Sequence, residues 1–223
     1  MQYIYDKFAK DDILEIKDEN YNYIVKARRH KIDDIINFRN LEDKFLYSYK
    51  IISIEKKSAT LTLISKEERI LENSKKLHLG WCIVDPKTIY ENLASLNELG
   101  VDKISFIYSD FSQKNFKINF EKLEKILINS SVQCGRSSII KIDDYKNLDE
   151  FVKHFPNSFF LDFSQTSIDE KKVLIDTIII GPEGGFSKKE RDKFKKDFIV
   201  GLESNIILRS ETAAICASSK III

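Results

Sequence analysis

The stretch Asp176-Thr177-Ile178-Ile179-Ile180-Gly181-Pro182-Glu183-Gly184-Gly185-Phe186-Ser187-Lys188-Lys189-Glu190 decides how this chain reads. An apolar β-branched run ends in glycine and proline, which predicts a buried strand entering a tight loop. Ser187 and Glu190 stand three residues apart, the spacing of a capping box at the start of a helix. Glycines in such a loop let the backbone approach a ligand, and the unpaired amides of a helix start serve polar or anionic groups. The chain has seven glycines, and Gly181, Gly184 and Gly185 fall within five residues. No Gly-Lys-Ser/Thr follows and no Gly-x-Gly-x-x-Gly is present, so this is neither a Walker loop nor a dinucleotide fingerprint. The competing reading is an ordinary turn that uses Pro182 and the glycines for geometry alone.

Upstream and downstream of the loop, apolar runs alternate with helical segments. Leu77–Val84, Lys103–Tyr108, Ile139–Ile142, Phe159–Phe163, Leu174–Ile180 and Phe198–Leu202 read as strands. Ile89–Leu99, Phe120–Ser131, Leu148–His154, Lys188–Lys196 and a last segment from Glu211 read as helices. Parallel strands need a crossover between them, so this alternation predicts an α/β domain with a largely parallel sheet. The first part of the chain is different. Ile13–Ile16, Ile35–Phe38, Phe45–Ile54 and Ala59–Ile64 are short β-rich runs that suggest a small barrel. One helix, about Asn20–His30, interrupts them, with Tyr21, Ile24, Val25 and Arg28 on a common face. The polar stretch Ser65–Lys76 reads as a linker, which places two domains at 1–76 and 77–223.

Composition narrows the function. At 43% hydrophobic residues with mixed charges, the chain has enough apolar material for a real core. No apolar run approaches the ~20 residues of a membrane helix, and the first residues lack a signal-peptide layout. A cytoplasmic location with no membrane partner is expected. Cys82, Cys134 and Cys216 are far apart and read as buried small hydrophobes, and no Cys/His spacing suggests a metal. His30, His78 and His154 are isolated in sequence, so a histidine dyad could arise only through the fold. The net charge of +1 argues against nucleic-acid binding by bulk electrostatics, so any RNA contact must be local. The densest basic run is Lys26, Arg28, Arg29, His30 and Lys31, which by itself is as readily a solvated helix face.

A second segment changes the weight of the first. In Asn205-Ile206-Ile207-Leu208-Arg209-Ser210-Glu211-Thr212-Ala213-Ala214 a short apolar run ends in a polar cluster and turns small and helix-prone. Ser210 reads as a helix cap with Glu211 in the first turn, and Arg209 could simply pair with a surface acid. Together, Ile179–Ser187 and Ile207–Ala213 resemble the SPOUT methyltransferases of the RsmE family. Asn97-Glu98-Leu99-Gly100-Val101 and Gln133-Cys134-Gly135-Arg136 are similar to further family segments, and Ile24–Arg29 with Asp34 to the basic helix of its PUA-like RNA-binding barrel. The chain departs from the pattern at Ser95, at Asp110-Phe111 and across 202–206.

The resemblance implies a knotted α/β domain, with a deep trefoil knot near its C-terminal end, behind a PUA-like β-barrel. It implies S-adenosylmethionine as cofactor, held by three loops. These contain Leu161, then Gly181, Pro182, Glu183, Gly184 and Gly185, then Leu202, Ile206, Ile207, Leu208, Arg209 and Thr212. It implies methylation of a uridine at N3 in 16S ribosomal RNA, within the small ribosomal subunit, by a homodimer whose site lies at the dimer interface, and it calls for no metal. Lys26, Arg28, Arg29 and Lys31 would meet the RNA. Uracil N3 is a poor nucleophile until its proton leaves, so charge stabilisation falls to Arg209 first and Arg136 of a neighbouring subunit second. Glu183 and Glu211 are both candidates for the base. The rival is a non-catalytic RNA-binding or ribosome-assembly factor that keeps the fold as a platform.

Overall fold

A computed structural model describes residues 3–223, which form two compact units. One comprises the chain up to Glu72 together with Ile128–Ile139, and the other comprises Asn73–Leu127 with Ile140–Ile223.

The first unit is built from β1 (Ile4–Tyr5), β2 (Ile13–Lys17), α1 (Asp18–Tyr21), a π-helical turn (Asn22–Ala27), β3 (Ile35–Arg39), β4 (Phe45–Ile54) and β5 (Ser58–Glu68). The strands form one sheet in the order β1-β3-β4-β5-β2, antiparallel except for β1 against β3. Period-two patterning builds its core. In β2, Leu14 and Ile16 are buried while Ile13, Glu15 and Lys17 face water. They pack with Ile24, Phe38, Tyr49, Ile51 and Leu61 in one apolar cluster, where Phe38 meets Tyr49 edge-on at 5.6 Å. Each such side chain contributes about 1.5–3 kcal/mol by leaving water.

Two expectations fail in this unit. The helix foreseen for Asn20–His30 is four α-helical residues followed by the π-helical turn, which the Arg28 amide closes onto the Tyr23 carbonyl at 2.9 Å. The wider turn buries Tyr21 and Ile24 but leaves Arg28 exposed, so Arg28 does not share their face. The linker foreseen from Ser65 is strand as far as Glu68, because Ser65–Glu68 pair with Phe45–Ser48. Arg39 extends that order. Its side chain is buried, and its guanidinium donates to the carbonyls of Lys44, Phe45 and, at 2.6 Å, Arg69.

The second unit contains β6 (His78–Cys82), α2 (Pro86–Leu99), β7 (Lys103–Ile107), α3 (Phe120–Cys134, whose last residues belong to the first unit), β8 (Lys141–Tyr145), α4 (Leu148–His154), β9 (Phe159–Leu161), α5 (Ile168–Lys171), β10 (Thr177–Ile180), α6 (Lys188–Arg191), β11 (Ile199–Val200) and α7 (Ser210–Ile222). Its six-stranded sheet is parallel throughout, in the order β11-β9-β10-β6-β7-β8. Leu79, Trp81, Ile104, Phe106, Ile178 and Ile179 are fully buried, as expected of strands covered on both faces. The fold is therefore mixed α/β.

Several boundaries move for local reasons. The strand expected from Ile139 begins at Lys141, and the one expected from Leu174 begins at Thr177, with Val173 and Leu174 exposed in the turn after α5. The strands foreseen at Phe159–Phe163 and Phe198–Leu202 shrink to β9 and β11. The helix expected over Lys188–Lys196 stops at Arg191, and Phe194 stacks on Phe160 at 3.7 Å. Of the cysteines, Cys82 is buried and Cys216 half-buried, whereas Cys134 ends α3 exposed. Burial pushes the Cys82 thiol up to about 12, which leaves it without thiolate character.

Candidate functional site

The register of the parallel sheet assembles the site. Ile180 at the end of β10 pairs with Leu161 at the end of β9, and Leu161 pairs with Val200 at the end of β11. Three adjacent strands thus release their following loops at one edge, the carboxyl edge where ligands of open α/β sheets bind. Between these loops lies a cavity of about 640 Å³, within the range of cofactor sites.

Each loop is held by its own chemistry. The second, Gly181–Phe186, runs into the capping box read from the sequence: Ser187 Oγ accepts from the Glu190 amide, and Glu190 Oε2 accepts from the Ser187 amide at 2.8 Å. Glu190 Oε1 also accepts from the Asp110 amide, and Ser187 Oγ donates to Asp110 Oδ2 at 2.6 Å. The glycine loop is thereby tied to the turn after β7, giving Asp110 a structural role at a position where the chain departs from the family pattern. Gly185 has φ +68°, a conformation that L side chains rarely adopt.

Loops one and three touch backbone to backbone. A methyl group on Gly201 would lie 2.6 Å from the Ser164 carbonyl oxygen, so only glycine permits this approach. Asp162, in the first loop, binds Arg191 of α6 through two bonds, from Nε at 2.6 Å and Nη2 at 3.0 Å. That bidentate pairing raises the Arg191 guanidinium above its ordinary range.

The third loop reaches the second through Ser210. The sequence suggested Ser210 as the cap of the last helix, but Arg209 occupies the cap position without a side-chain cap bond, and Ser210 is the first helical residue. Its hydroxyl donates to the Gly181 carbonyl at 2.6 Å and accepts from the indole of the buried Trp81 at 3.0 Å. Small residues on α7, among them Ala214 and Ala217, are fully buried where the helix packs against α2 and β6.

Of the residues singled out from sequence, Leu161, Gly181, Pro182, Glu183, Gly184, Gly185, Leu202, Ile206, Ile207 and Leu208 all line this cavity. Arg209 and Thr212 do not. The resemblance puts Arg209 in the third loop, directly after the apolar run Ile206–Leu208. In the single chain Ile206 and Ile207 are themselves 76% and 78% exposed, so nothing fixes Arg209, whose side chain is 84% exposed. Its guanidinium lies 4.0 Å from Glu211, and the other Glu211 oxygen is buried with no hydrogen-bond partner. Arg136 belongs to the first unit, where it is 6% exposed and its Nε donates to Ser138. Lys26, Arg28, Arg29 and Lys31 are all exposed on one segment of that unit.

Gly201, Asp162, Ser164 and Arg191 were missed. Asp162 and Gly201 fall inside the strands foreseen at Phe159–Phe163 and Phe198–Leu202, and Ser164 just after the first, so the observed strand ends at Leu161 and Val200 are what exposes them; Arg191 had no signal. His78 does find partners through the fold. Its Nε2 lies 2.7 Å from Ser105 Oγ, which donates to Asp143. His78 begins β6 and Ser105 lies in mid-β7, away from the loop-bearing edge, so this chain of groups is no part of the cavity. Among the described residues no group of three or more His, Cys, Asp or Glu could hold a metal ion, and no helix is long and apolar enough to cross a membrane.

A mixed apolar and polar cavity formed by glycine loops at the carboxyl edge of a parallel sheet defines a cofactor-binding enzyme of the α/β type. Comparison with known proteins makes the class specific: residues 71–222 match the RNA methyltransferase domain family, and residues 16–64 match the RNA methyltransferase PUA domain. The chain belongs to the ribosomal RNA small subunit methyltransferase E family. It is 39% identical over 222 residues to the Helicobacter pylori protein of that name, covering 98% of each chain. Among solved structures, it matches a Legionella pneumophila protein in complex with the bound cofactor SAM at TM-score 0.80 and 28% identity, over 99% and 96% of the two chains. A structure described as a probable rRNA-methyltransferase from Porphyromonas gingivalis has the same fold, with TM-score 0.84 at 22% identity over 99% and 97%.

Proposed function

We propose that this chain transfers the methyl group of S-adenosylmethionine to N3 of a uridine in 16S ribosomal RNA, acting on the small ribosomal subunit in the cytoplasm. The observation that carries the reading is the three-loop cavity at the carboxyl edge of the parallel sheet, in a chain of this family. The donor set fits the cofactor. Leu161, Ile180, Leu202 and Leu208 offer apolar walls for a purine, and Glu183 supplies negative charge for a cationic group. When bound, S-adenosylmethionine supplies an electrophilic methyl group.

The residues of the chain then have separable tasks. The loops exclude water and align the methyl group with the base nitrogen, which alone lowers the barrier by several kcal/mol. Glu183 lines the cavity and is the favoured acceptor of the N3 proton, with Glu211 second. Arg209 stabilises negative charge developing on the uracil oxygens, and the burial of Arg136 puts it behind Arg209 in that role.

The working molecule is a homodimer. Phe163, Ile206 and Ile207 line the cavity yet are more than three-quarters exposed, an apolar rim that a second copy would cover and that would order Arg209 and Thr212. The C-terminal domain, 77–223, is read as a trefoil knot. In support, β10 inserts between β9 and β6, and α7 is tied to the loop after β10. The N-terminal domain, 1–76, is read as a PUA-like barrel that brings Lys26, Arg28, Arg29 and Lys31 to the RNA. The test is transfer of labelled methyl from S-adenosylmethionine to small-subunit RNA, followed by mapping of the modified base. Methyl at uridine N3 is expected, and binding of the cofactor without any transfer would overturn the reading.

A further inference from the structure

The first unit contains a recess that the methyl-transfer chemistry does not use. It measures about 360 Å³ and is lined by Tyr3, Ile4, Tyr23, Arg28, His30 and the β3 residues Ile35, Ile36 and Asn37, sharing none with the cavity of the second unit. Its floor is apolar, since Ile4 and Ile36 are buried side chains of the paired strands β1 and β3. Its rim is polar and held in place by neighbours.

Each rim group has one hydrogen-bonding function consumed and another left over. Arg28 uses Nε to donate to Tyr23 Oη at 2.9 Å and lies over the Tyr23 ring at 5.2 Å, leaving its terminal nitrogens without partners among the described residues. Asn37 uses its carbonyl oxygen to accept from Ser48 at 2.9 Å, leaving its amide hydrogens to donate. His30 Nδ1 lies 2.9 Å from Asp34 Oδ2. The Lys31 amide and then His30 hold the Asp34 carboxyl below its ordinary range. Because that carboxylate only accepts, Nδ1 carries the hydrogen and Nε2 of the neutral ring is an acceptor. The segment also has π-helical geometry and positive φ at Arg29 (60°) and Asp33 (73°), irregularities that concentrate at functional sites.

A flat ligand that satisfies this set has an apolar face, carbonyl oxygens for Arg28 and Asn37, and a ring N–H for His30. Uracil meets all three conditions, with O2 and O4 on either side of N3–H, whereas guanine has a single carbonyl oxygen and cytosine sets its one carbonyl beside a bare ring nitrogen and an amino group. We propose that this recess receives one unpaired uracil nucleotide of RNA and reads its carbonyl edge. The exposed cations Lys26, Arg29 and Lys31 on the same segment supply the backbone contacts that bring the strand to it. The inference rests on the reading of this unit as RNA-binding. It adds a base preference to what would otherwise be charge attraction alone.

The test is fluorescence anisotropy of the full chain with two weakly stacking dodecamers, oligouridine and oligocytidine, over a range of salt. Oligouridine is expected to bind about tenfold tighter. Asn37→Ala removes the amide donors, and Ile35→Trp places a large ring on a rim residue that is 59% exposed. Each should bring the ratio near one while oligocytidine affinity is retained, which also reports an intact fold. Lys26→Ala with Lys31→Ala should instead weaken both oligomers equally and flatten the salt dependence. Equal, salt-dependent binding of both oligomers by the unaltered chain, or a ratio preserved in both recess variants, would overturn the base-reading recess alone. Absence of salt-dependent binding to either would overturn the RNA-binding reading of the unit, and the recess with it.

Discussion

Gly201 is the cavity glycine at which an added methyl group would meet a backbone carbonyl, which cannot rotate away. Gly201→Ala should destabilise the chain by about 1–3 kcal/mol and weaken S-adenosylmethionine at least tenfold by calorimetry. Gly184→Ala, whose new methyl group would meet Phe111 at an ordinary 3.4 Å, should change affinity less than threefold. Equal effects would mean that loops one and three need no such contact. His78 makes a second test, of stability rather than binding. Burial, then Lys103, lowers its pKa to about 4. The unfolded chain therefore binds the proton more readily, and folding stability is full above about pH 6.5 and falls as pH drops toward 4. Denaturant titrations should show a loss on the order of 3 kcal/mol across that window, reduced in His78→Gln; identical slopes would remove His78 from the account. Arg209→Ala should slow single-turnover transfer about a hundredfold with both substrates saturating. A rate within threefold of the unaltered chain would leave Arg209 as the surface partner of Glu211, worth ~0.5 kcal/mol.

At the scale of elements, Ser210 joins α7 to the glycine loop and to Trp81 of β6 through one hydroxyl. Ser210→Ala leaves the buried indole N–H unpaired, for which about 1–3 kcal/mol of stability is expected to be lost. Cofactor affinity should fall with it; a stability loss with unchanged affinity would make the link purely structural. This element level divides what a reader of the sequence could and could not see. The strands around Ile178–Ile180 and Leu79–Trp81 were legible because burial on both faces demands continuous apolar runs, and the Ser187–Glu190 box because its spacing is local. The π-helical turn was not, since Tyr21, Ile24 and Val25 suit a 3.6-residue turn equally well and the wider winding declares itself only at Arg28. Ser65–Glu68 looked like a linker because polar side chains on an exposed strand end resemble loop composition. Most of the candidate site was visible as two glycine-rich or apolar segments. The contacts that bring in the first loop, Gly201 to Ser164 and Asp162 to Arg191, unite residues about thirty or more positions apart and leave no local trace.

At the scale of the molecule, the exposed rim formed by Phe163, Ile206 and Ile207 predicts self-association. Light scattering should report a dimer at micromolar concentration. Ile206→Asp with Ile207→Asp should yield a folded monomer with methyl transfer reduced more than tenfold, and an active monomer would refute the homodimer. The division into units was only half legible. Ile128–Ile139 clusters with a unit otherwise made from the start of the chain, and no composition shift marks that return.

The position of β10 has a consequence for how the molecule is made. One flank of β6 is closed early by β7, which follows closely in sequence, but the other waits for β10, whose Thr177 pairs with His78. During synthesis at about 5–20 residues per second, that open flank of an almost wholly apolar strand stays unpaired for roughly 5–20 s. Until β10 arrives the nascent chain carries an adhesive edge at its centre and has no completed cofactor cavity. The pace of translation between those two strands thus sets how long that edge stays open.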